Sequence, residues 1–367
     1  MKRNLDFLAQ MREATRQLKD SGSAAVSAVI QRTLQEVPSL NSAAEPFADF
    51  VARVRNVFDD KWPGSAGQQE KTGRFLSASC TNHAGTRSYK LYVPSRYKGQ
   101  RLPLIVMLHG CQQNPDDFAA GTGMNVIAEQ NNCFVVYPAQ AHARTGANCW
   151  SWYQAGDQQR EYGEPSIIAD ITRAVIGSYR IDSRRVYVAG LSAGGAMAAI
   201  MGEAYPDLYA AVGIHSGVLA GAARDVASAF AVMRNGMTAA GVRSRKHMRS
   251  PARFIPAIVF HGDCDTTVHP RNGDQVFAQC APDLSCNHAG HQHNETIEKG
   301  KAPQGRLYTR TIRRDGNGKA IAEHWVVHGA GHAWSGGSRE GSFTDPAGPN
   351  AAQEMLRFFY SHTQQTR

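Results

Sequence analysis

The chain has 367 residues, 42% of them hydrophobic and 19% charged, which fits a globular protein with a sizeable core and suggests one large α/β domain with an appendage. Lys plus Arg exceed Asp plus Glu by 40 − 31 = 9. The basic residues are scattered apart from "RSRKHMR" at 243–249, and no nucleic-acid motif accompanies them, so nucleic acid is not expected as a partner. No apolar run approaches the roughly 18–20 residues of a transmembrane segment.

The first twenty residues are basic at the start but carry no continuous apolar stretch. They read as an amphipathic helix through Leu5, Leu8, Met11 and Leu18 rather than a signal peptide, so a cytoplasmic location is expected. Helical spacing continues to about residue 60, where Phe47, Phe50, Val51, Val54, Val57 and Phe58 share one face. That stripe suits packing on the main domain or docking on a partner or an apolar particle. "KWPGSAGQQEKTG" (61–73) reads as a linker. The expected division is therefore an N-terminal helical extension and linker, 1–72, and a catalytic domain, 73–367.

The rhythm then changes. "SYKLYVP" (88–94) alternates as a strand. "LPLIVMLHG" (102–110), "CFVVYP" (133–138), "RVYVAG" (185–190), "AAVGIHSG" (210–217) and "AIVFHG" (257–262) are near-continuous apolar runs, as strands buried on both faces would be. Helix-like segments fall between them at 118–131, 166–180, 193–205 and 271–280. This alternation implies an α/β fold with a mostly parallel central sheet and helices on both faces. "RLYTRTIRR" and "AIAEHWVVHG" flank "DGNGK" as a hairpin, and 350–362 reads as a final helix.

"VAGLSAGGA" (188–196) sets Ser192 between Gly190 and Gly194, after a buried strand and before a helix. A strand turning that sharply into a helix leaves no room for side chains two residues either side of the turn. The pattern is a nucleophile elbow, which lifts the Ser192 hydroxyl into a cleft at the carboxyl edge of the sheet. The bland alternative is a serine capping an ordinary helix. In an α/β-hydrolase fold the acid and base follow in the order Asp, then His. "FHGDCDTTVHP" offers Asp265 in the loop after a strand, with Asp263 as the competitor. "HWVVHGAGHAWSGG" offers His332 in a glycine-rich loop; His328 comes too early and reads as structural. His109, His215, His261 and His269 read as strand-end hydrogen-bonding residues. In this scheme His332 takes the Ser192 proton and Asp265 fixes its tautomer. The backbone N–H groups of Ala193 and Cys111 are the candidate oxyanion donors, with Gly110 allowing close approach.

"LHGCQQNPDDFAAGTGMNVIAE", "VVYPAQ", "CWSWY", "GEPSIIADI", "VYVAGLSAGGAMAAIMGEAYPDLYAAVGIHSG", "HGDCDTTVHPRNGDQV" and "GAGHAWSGG" together resemble the polyhydroxybutyrate depolymerase-family esterases over about residues 74–362. The resemblance implies an α/β-hydrolase fold, a Ser192–Asp265–His332 triad, and hydrolysis of carboxylic esters with no metal or cofactor. Members act on polyhydroxybutyrate, its oligomers, or feruloyl and acetyl esters of plant polysaccharide, and many are secreted, which makes an extracellular location the alternative.

Trp150, Trp152, Tyr153 and Trp334 flank the expected site as candidates for an apolar wall against the acyl chain. "CAPDLSCNHAGHQHNE" (280–295) holds Cys and His in a spacing that matches no standard zinc site, and reads as an exposed insertion. Cys111 and Cys149 are a candidate disulfide, and Cys264 has Cys280 or Cys286 as candidate partners; spacing does not fix the connectivity. The expected function is a serine ester hydrolase acting on a small ester or polyester substrate, with a polyester granule as a candidate surface. A feruloyl or acetyl polysaccharide esterase is the alternative, and a non-catalytic granule-binding protein is the reading from another class.

Overall fold

The structure is a computed structural model and describes residues 73–140, 148–238, 241, 255–279, 294–303 and 305–364. The expected N-terminal helices, their apolar stripe and most of the 280–295 insertion lie outside the described residues. Ten strands form one sheet: β1 (Arg74–Asn82), β2 (Gly85–Val93), β3 (Leu102–Leu108), β4 (Phe134–Pro138), β5 (Ile181–Leu191), β6 (Ala211–His215), β7 (Ala257–Gly262), β8 (Asn294–Lys301), β9 (Leu307–Arg314) and β10 (Ala320–Val327). Their spatial order is β1-β2-β4-β3-β5-β6-β7-β10-β9-β8. The six strands from β4 to β10 run parallel, while β1–β2 and β8–β9 form antiparallel borders.

Every residue of β3, β4, β6 and β7 is buried, so both faces of the sheet are covered there, as continuous apolar strands require. Among the described residues the helices are α1 (Pro115–Thr122), α2 (Met124–Asn131), α3 (Gly163–Ser178), α4 (Ala193–Ala204), α5 (Val226–Asn235), α6 (Arg271–Gln279) and α7 (Ala351–Tyr360). The single helix expected over 118–131 is broken by Gly123, which adopts φ 64° and serves as the C-cap of α1 and the N-cap of α2. The "DGNGK" stretch makes the expected hairpin between β9 and β10, closed by Asp315 N–H donating to the Lys319 carbonyl at 2.8 Å. Two short strands, β11 (Trp334–Ser335) and β12 (Thr344–Asp345), pair in parallel outside the main sheet.

Strands β3, β5, β6, β7 and β10 all end at one edge of the sheet, so the segments that follow them converge there, where α/β sheets place their sites. The loop after β7 is joined to the loop after β10: Asp263 N–H donates to the Val327 carbonyl and Cys264 N–H to the Ala330 carbonyl.

Candidate active site

At the end of β5 the chain turns within one residue. Ser192 has φ 57° and ψ −119°, a conformation that costs a non-glycine residue of order 1–3 kcal/mol and persists only where its surroundings enforce it. Its backbone N–H donates to the His215 carbonyl on β6 at 2.9 Å. Its side chain makes no hydrogen bond to the start of α4, so the hydroxyl does not act as a helix cap. The flanking glycines are there for space. A Cβ on Gly190 would fall 2.3 Å from the Gly194 carbonyl oxygen, and one on Gly194 would fall 2.0 Å from that of Leu108.

The structure brings Asp265 and His332 together and sends Asp263 elsewhere. His332 Nδ1–H donates to Asp265 Oδ2 at 2.7 Å. Since Nδ1 must carry the proton to donate to a carboxylate, Nε2 keeps its lone pair. Asp265 Oδ1 accepts the N–H groups of Thr267 and Val268 at 2.9 and 2.8 Å. Burial alone would raise this carboxyl, but the His332 charge and hydrogen bonds from His261 and His332 outweigh it and hold the group well below the usual carboxylate range. Asp263 is exposed. Its carboxylate accepts His328 Nδ1–H at 2.8 Å and Gly329 N–H at 2.6 Å, so it ties down the start of the loop that carries His332.

Two further histidines pack around this pair. His215 Nε2 accepts Ser335 N–H at 2.9 Å and its ring stacks on Trp334, which fastens the His332 loop to β6 beside Ser192. Burial pushes the His215 pKa well below its ordinary value, and His332 is near enough to push it further. His261 Nε2–H donates to the Val268 carbonyl at 2.7 Å and lies 3.4 Å from Asp265 Oδ2. Sequence spacing placed both as strand-end hydrogen-bonding residues but gave no sign of these connections, which run between segments far apart in the chain.

The loop after β3 lies against the elbow: a Cβ on Gly110 would be 3.7 Å from Ser192 Cβ. Among the described residues, neither the Cys111 nor the Ala193 backbone N–H has a protein acceptor. Cys111 is bonded to Cys149. Cys264 is an exposed free thiol, and its two expected partners, Cys280 and Cys286, lie outside the described residues. The expected aromatic wall is largely core instead. Trp150 and Trp334 are each 1% exposed. Trp150 donates its indole N–H to the His109 carbonyl at 3.0 Å, and Trp334 meets Phe118 edge-on. Trp152 is also buried, and Tyr153, packed edge-on against it, is the partly exposed member of the set. Among the described residues no group of three His, Cys, Asp or Glu side chains is arranged to hold a metal ion.

A mostly parallel sheet, a strand–serine–helix turn and an Asp–His pair on the same edge define the α/β-hydrolase class. The acetyl xylan esterase from Aspergillus awamori superposes with a TM-score of 0.60, covering 78% of this chain and 99% of that one at 20% identity. The sequence profile described as Esterase PHB depolymerase matches residues 87–288, more than half of the chain, and the chain belongs to that family. Poly(3-hydroxyalkanoate) depolymerase C of Paucimonas lemoignei is 29% identical over 265 residues, 69% of this chain and 59% of that protein. Feruloyl esterase B of Neurospora crassa is 25% identical over 290 residues, 76% of this chain and 89% of that protein. The chain therefore spans less than two thirds of the depolymerase it is similar to.

Proposed function

We propose that the chain is a serine carboxylic ester hydrolase that cleaves hydroxyalkanoate polyester or oligomer esters through an acyl-enzyme. The observation that carries this reading is the Asp265–His332 hydrogen bond on the sheet edge where Ser192 is held in a strained turn. In the proposed reaction Ser192 Oγ attacks the ester carbonyl carbon as its proton passes to His332 Nε2. The oxyanion is received by the N–H groups of Ala193 and Cys111. His332 returns the proton to the leaving alcohol, and the C–O bond breaks to leave an acyl group on Ser192. A water molecule, deprotonated by His332, attacks that acyl group, and collapse releases the acid and restores the Ser192 hydroxyl. Asp265 stays ionised throughout, consistent with its depressed pKa. The test is fluorophosphonate labelling with mass-spectrometric mapping, together with turnover of hydroxybutyrate trimer; label absent from Ser192 refutes the assignment.

A polysaccharide esterase is the second reading, favoured by the 89% coverage of a feruloyl esterase against 59% of a depolymerase. Methyl ferulate and acetylated xylan, run beside the hydroxybutyrate trimer and nitrophenyl esters of graded length, separate the two by kcat/KM. Disulfides persist in oxidising compartments, so the Cys111–Cys149 bridge supports the extracellular alternative over the cytoplasmic one. No described helix is long and apolar enough to cross a membrane. A polyester granule remains the proposed surface partner on sequence grounds, through the Phe47–Phe58 stripe. Deletion of residues 1–60 with loss of co-sedimentation on amorphous polyester, at unchanged turnover of a soluble ester, is the expected result.

A further inference from the structure

The contacts that fasten the Cys111 loop lead back to one buried carboxylate that the proposed reaction does not use. Glu164 is the second residue of α3 and is 1% exposed. Gly163 before it has φ 51°, and a Cβ there would fall 2.0 Å from Asp157 Oδ1, so only glycine lets that carboxylate reach the Glu164 N–H at 2.7 Å. With the helix start fixed, the Glu164 carboxylate accepts Ser151 N–H at 2.8 Å and the Gln140 side-chain amide, and Arg87 Nη2 lies 3.9 Å away. Gln140 donates from the same amide to the Cys149 carbonyl at 3.1 Å. From these segments three connections reach the loop after β3. The Gln140 backbone N–H donates to His109 Nε2 at 3.2 Å, the Trp150 indole N–H donates to the His109 carbonyl at 3.0 Å, and Cys149 is bonded to Cys111. His109 Nδ1–H then donates to the Gly110 carbonyl at 2.8 Å.

We propose that Glu164 is a positioning residue that holds the Cys111 N–H beside Ser192, acting through Gln140, Ser151 and the Cys111–Cys149 bridge. The inference rests on the reading of Cys111 as an oxyanion donor. The physical reason is preorganisation: such a donor is effective only when held within about 0.5 Å of its productive position. A buried carboxylate can accept several N–H groups at once, each in a charge-assisted hydrogen bond. An amide at 164 would turn an NH₂ toward one of those donors and lose that contact.

Glu164→Gln is expected to lower kcat about tenfold to a hundredfold, part of the 10²–10³ that losing one donor costs, with KM within about twofold. Affinity for an alkyl trifluoromethyl ketone, whose hemiketal oxyanion needs the same donors, should fall by the same factor. The pH–rate profile should keep its limbs, since Asp265 and His332 are untouched. Trp150→Phe removes one N–H donor to His109 while keeping most of the ring volume, and should show the same pattern at about threefold to tenfold; it decides the matter if Glu164→Gln does not fold. All rates are taken per site titrated with a fluorophosphonate. Unchanged kcat and ketone affinity in the folded variants, with the loss confined to melting temperature or KM, would overturn the inference. Ser192→Ala run in parallel separates the two levels: if it keeps its turnover, the Ser192 acyl-enzyme reading fails and the inference falls with it.

Discussion

At the scale of single residues, the sharpest expectation concerns Ser192. We predict that Ser192→Ala abolishes ester turnover, by about 10⁶ in kcat as in a comparable triad, while the protein stays folded. A variant that kept a tenth of wild-type kcat would refute the nucleophile assignment. Asp265→Asn should lower kcat by about 10⁴ by removing the group that fixes the His332 tautomer. Asp263→Asn should cost far less, because the Asp263 carboxylate is exposed and spent on His328 and Gly329. The reverse ranking would move the acid to Asp263. Ser192, Asp265 and His332 could be singled out from the chain because steric need and strand-end position leave local marks: glycines two either side of the serine, and loops directly after apolar runs. Glu164, His215 and the burial of Trp150 and Trp334 left no such mark. Their contacts join segments far apart in the chain, as His215 with Ser335, 120 positions away, and Trp334 with Phe118.

At the scale of elements, the parallel strands, β2 and the β9–β10 hairpin were legible, and the two outermost strands, β1 and β8, were not. Strands such as β3 and β7 are buried along their whole length and read as unbroken apolar runs. β1 (RFLSASCTN) is mostly exposed or half-buried, and β8 (NETIEKGK) is dominated by charge, as edge strands are when they avoid pairing with other chains. Beside the β9–β10 ladder, a side-chain link between the far border and α7 is made by Glu323 on β10, which is 0% exposed. It accepts Arg310 Nη2–H from β9 at 2.9 Å, Arg357 Nη2–H from α7 at 2.6 Å and the Trp325 indole N–H at 3.1 Å. Burial works to raise this carboxyl, and the two arginines outweigh it and keep it low. Removing one member of a buried ion network leaves the others uncompensated, at about 3–5 kcal/mol. We predict that Glu323→Ala loses stability of that order, read as a lowered urea midpoint. A midpoint within error of wild type would show that the Glu323 network adds nothing to the joining of β9, β10 and α7.

At the scale of the whole molecule, buried histidines make stability depend on pH in a direction that can be worked out. Burial pushes His109 down to about 4 and His324 down to about 3, and holds His215 well below its ordinary value. Each is neutral in the folded state and titrates near 6.5 when unfolded. Between those values the unfolded chain binds more protons than the folded one, so stability falls as pH falls. Above about pH 7 these groups contribute no slope. For His109 alone the shift from 6.5 to about 4 corresponds to a loss of up to about 3 kcal/mol by pH 4, at 1.36 kcal/mol per unit. Carboxylates held low in the folded state, Asp265 and Glu323 among them, add to the loss from about pH 5 downward, as the unfolded groups take up protons. The excess of basic over acidic residues acts in the same direction, since acid raises a net charge that is already +9. His109 lies under the Cys111 loop and His215 joins β6 to the His332 loop, so the region that acid loosens first should be the site itself. We therefore predict a melting temperature that is level from pH 7 to 8 and falls steadily from about 6.5 to 4, with ester turnover lost at milder acidity than far-UV ellipticity. A His324→Gln variant, which cannot titrate, should show a shallower fall over the same range. Equal melting temperatures at pH 5 and pH 7.5 would mean that these histidines are not buried neutral in the folded protein.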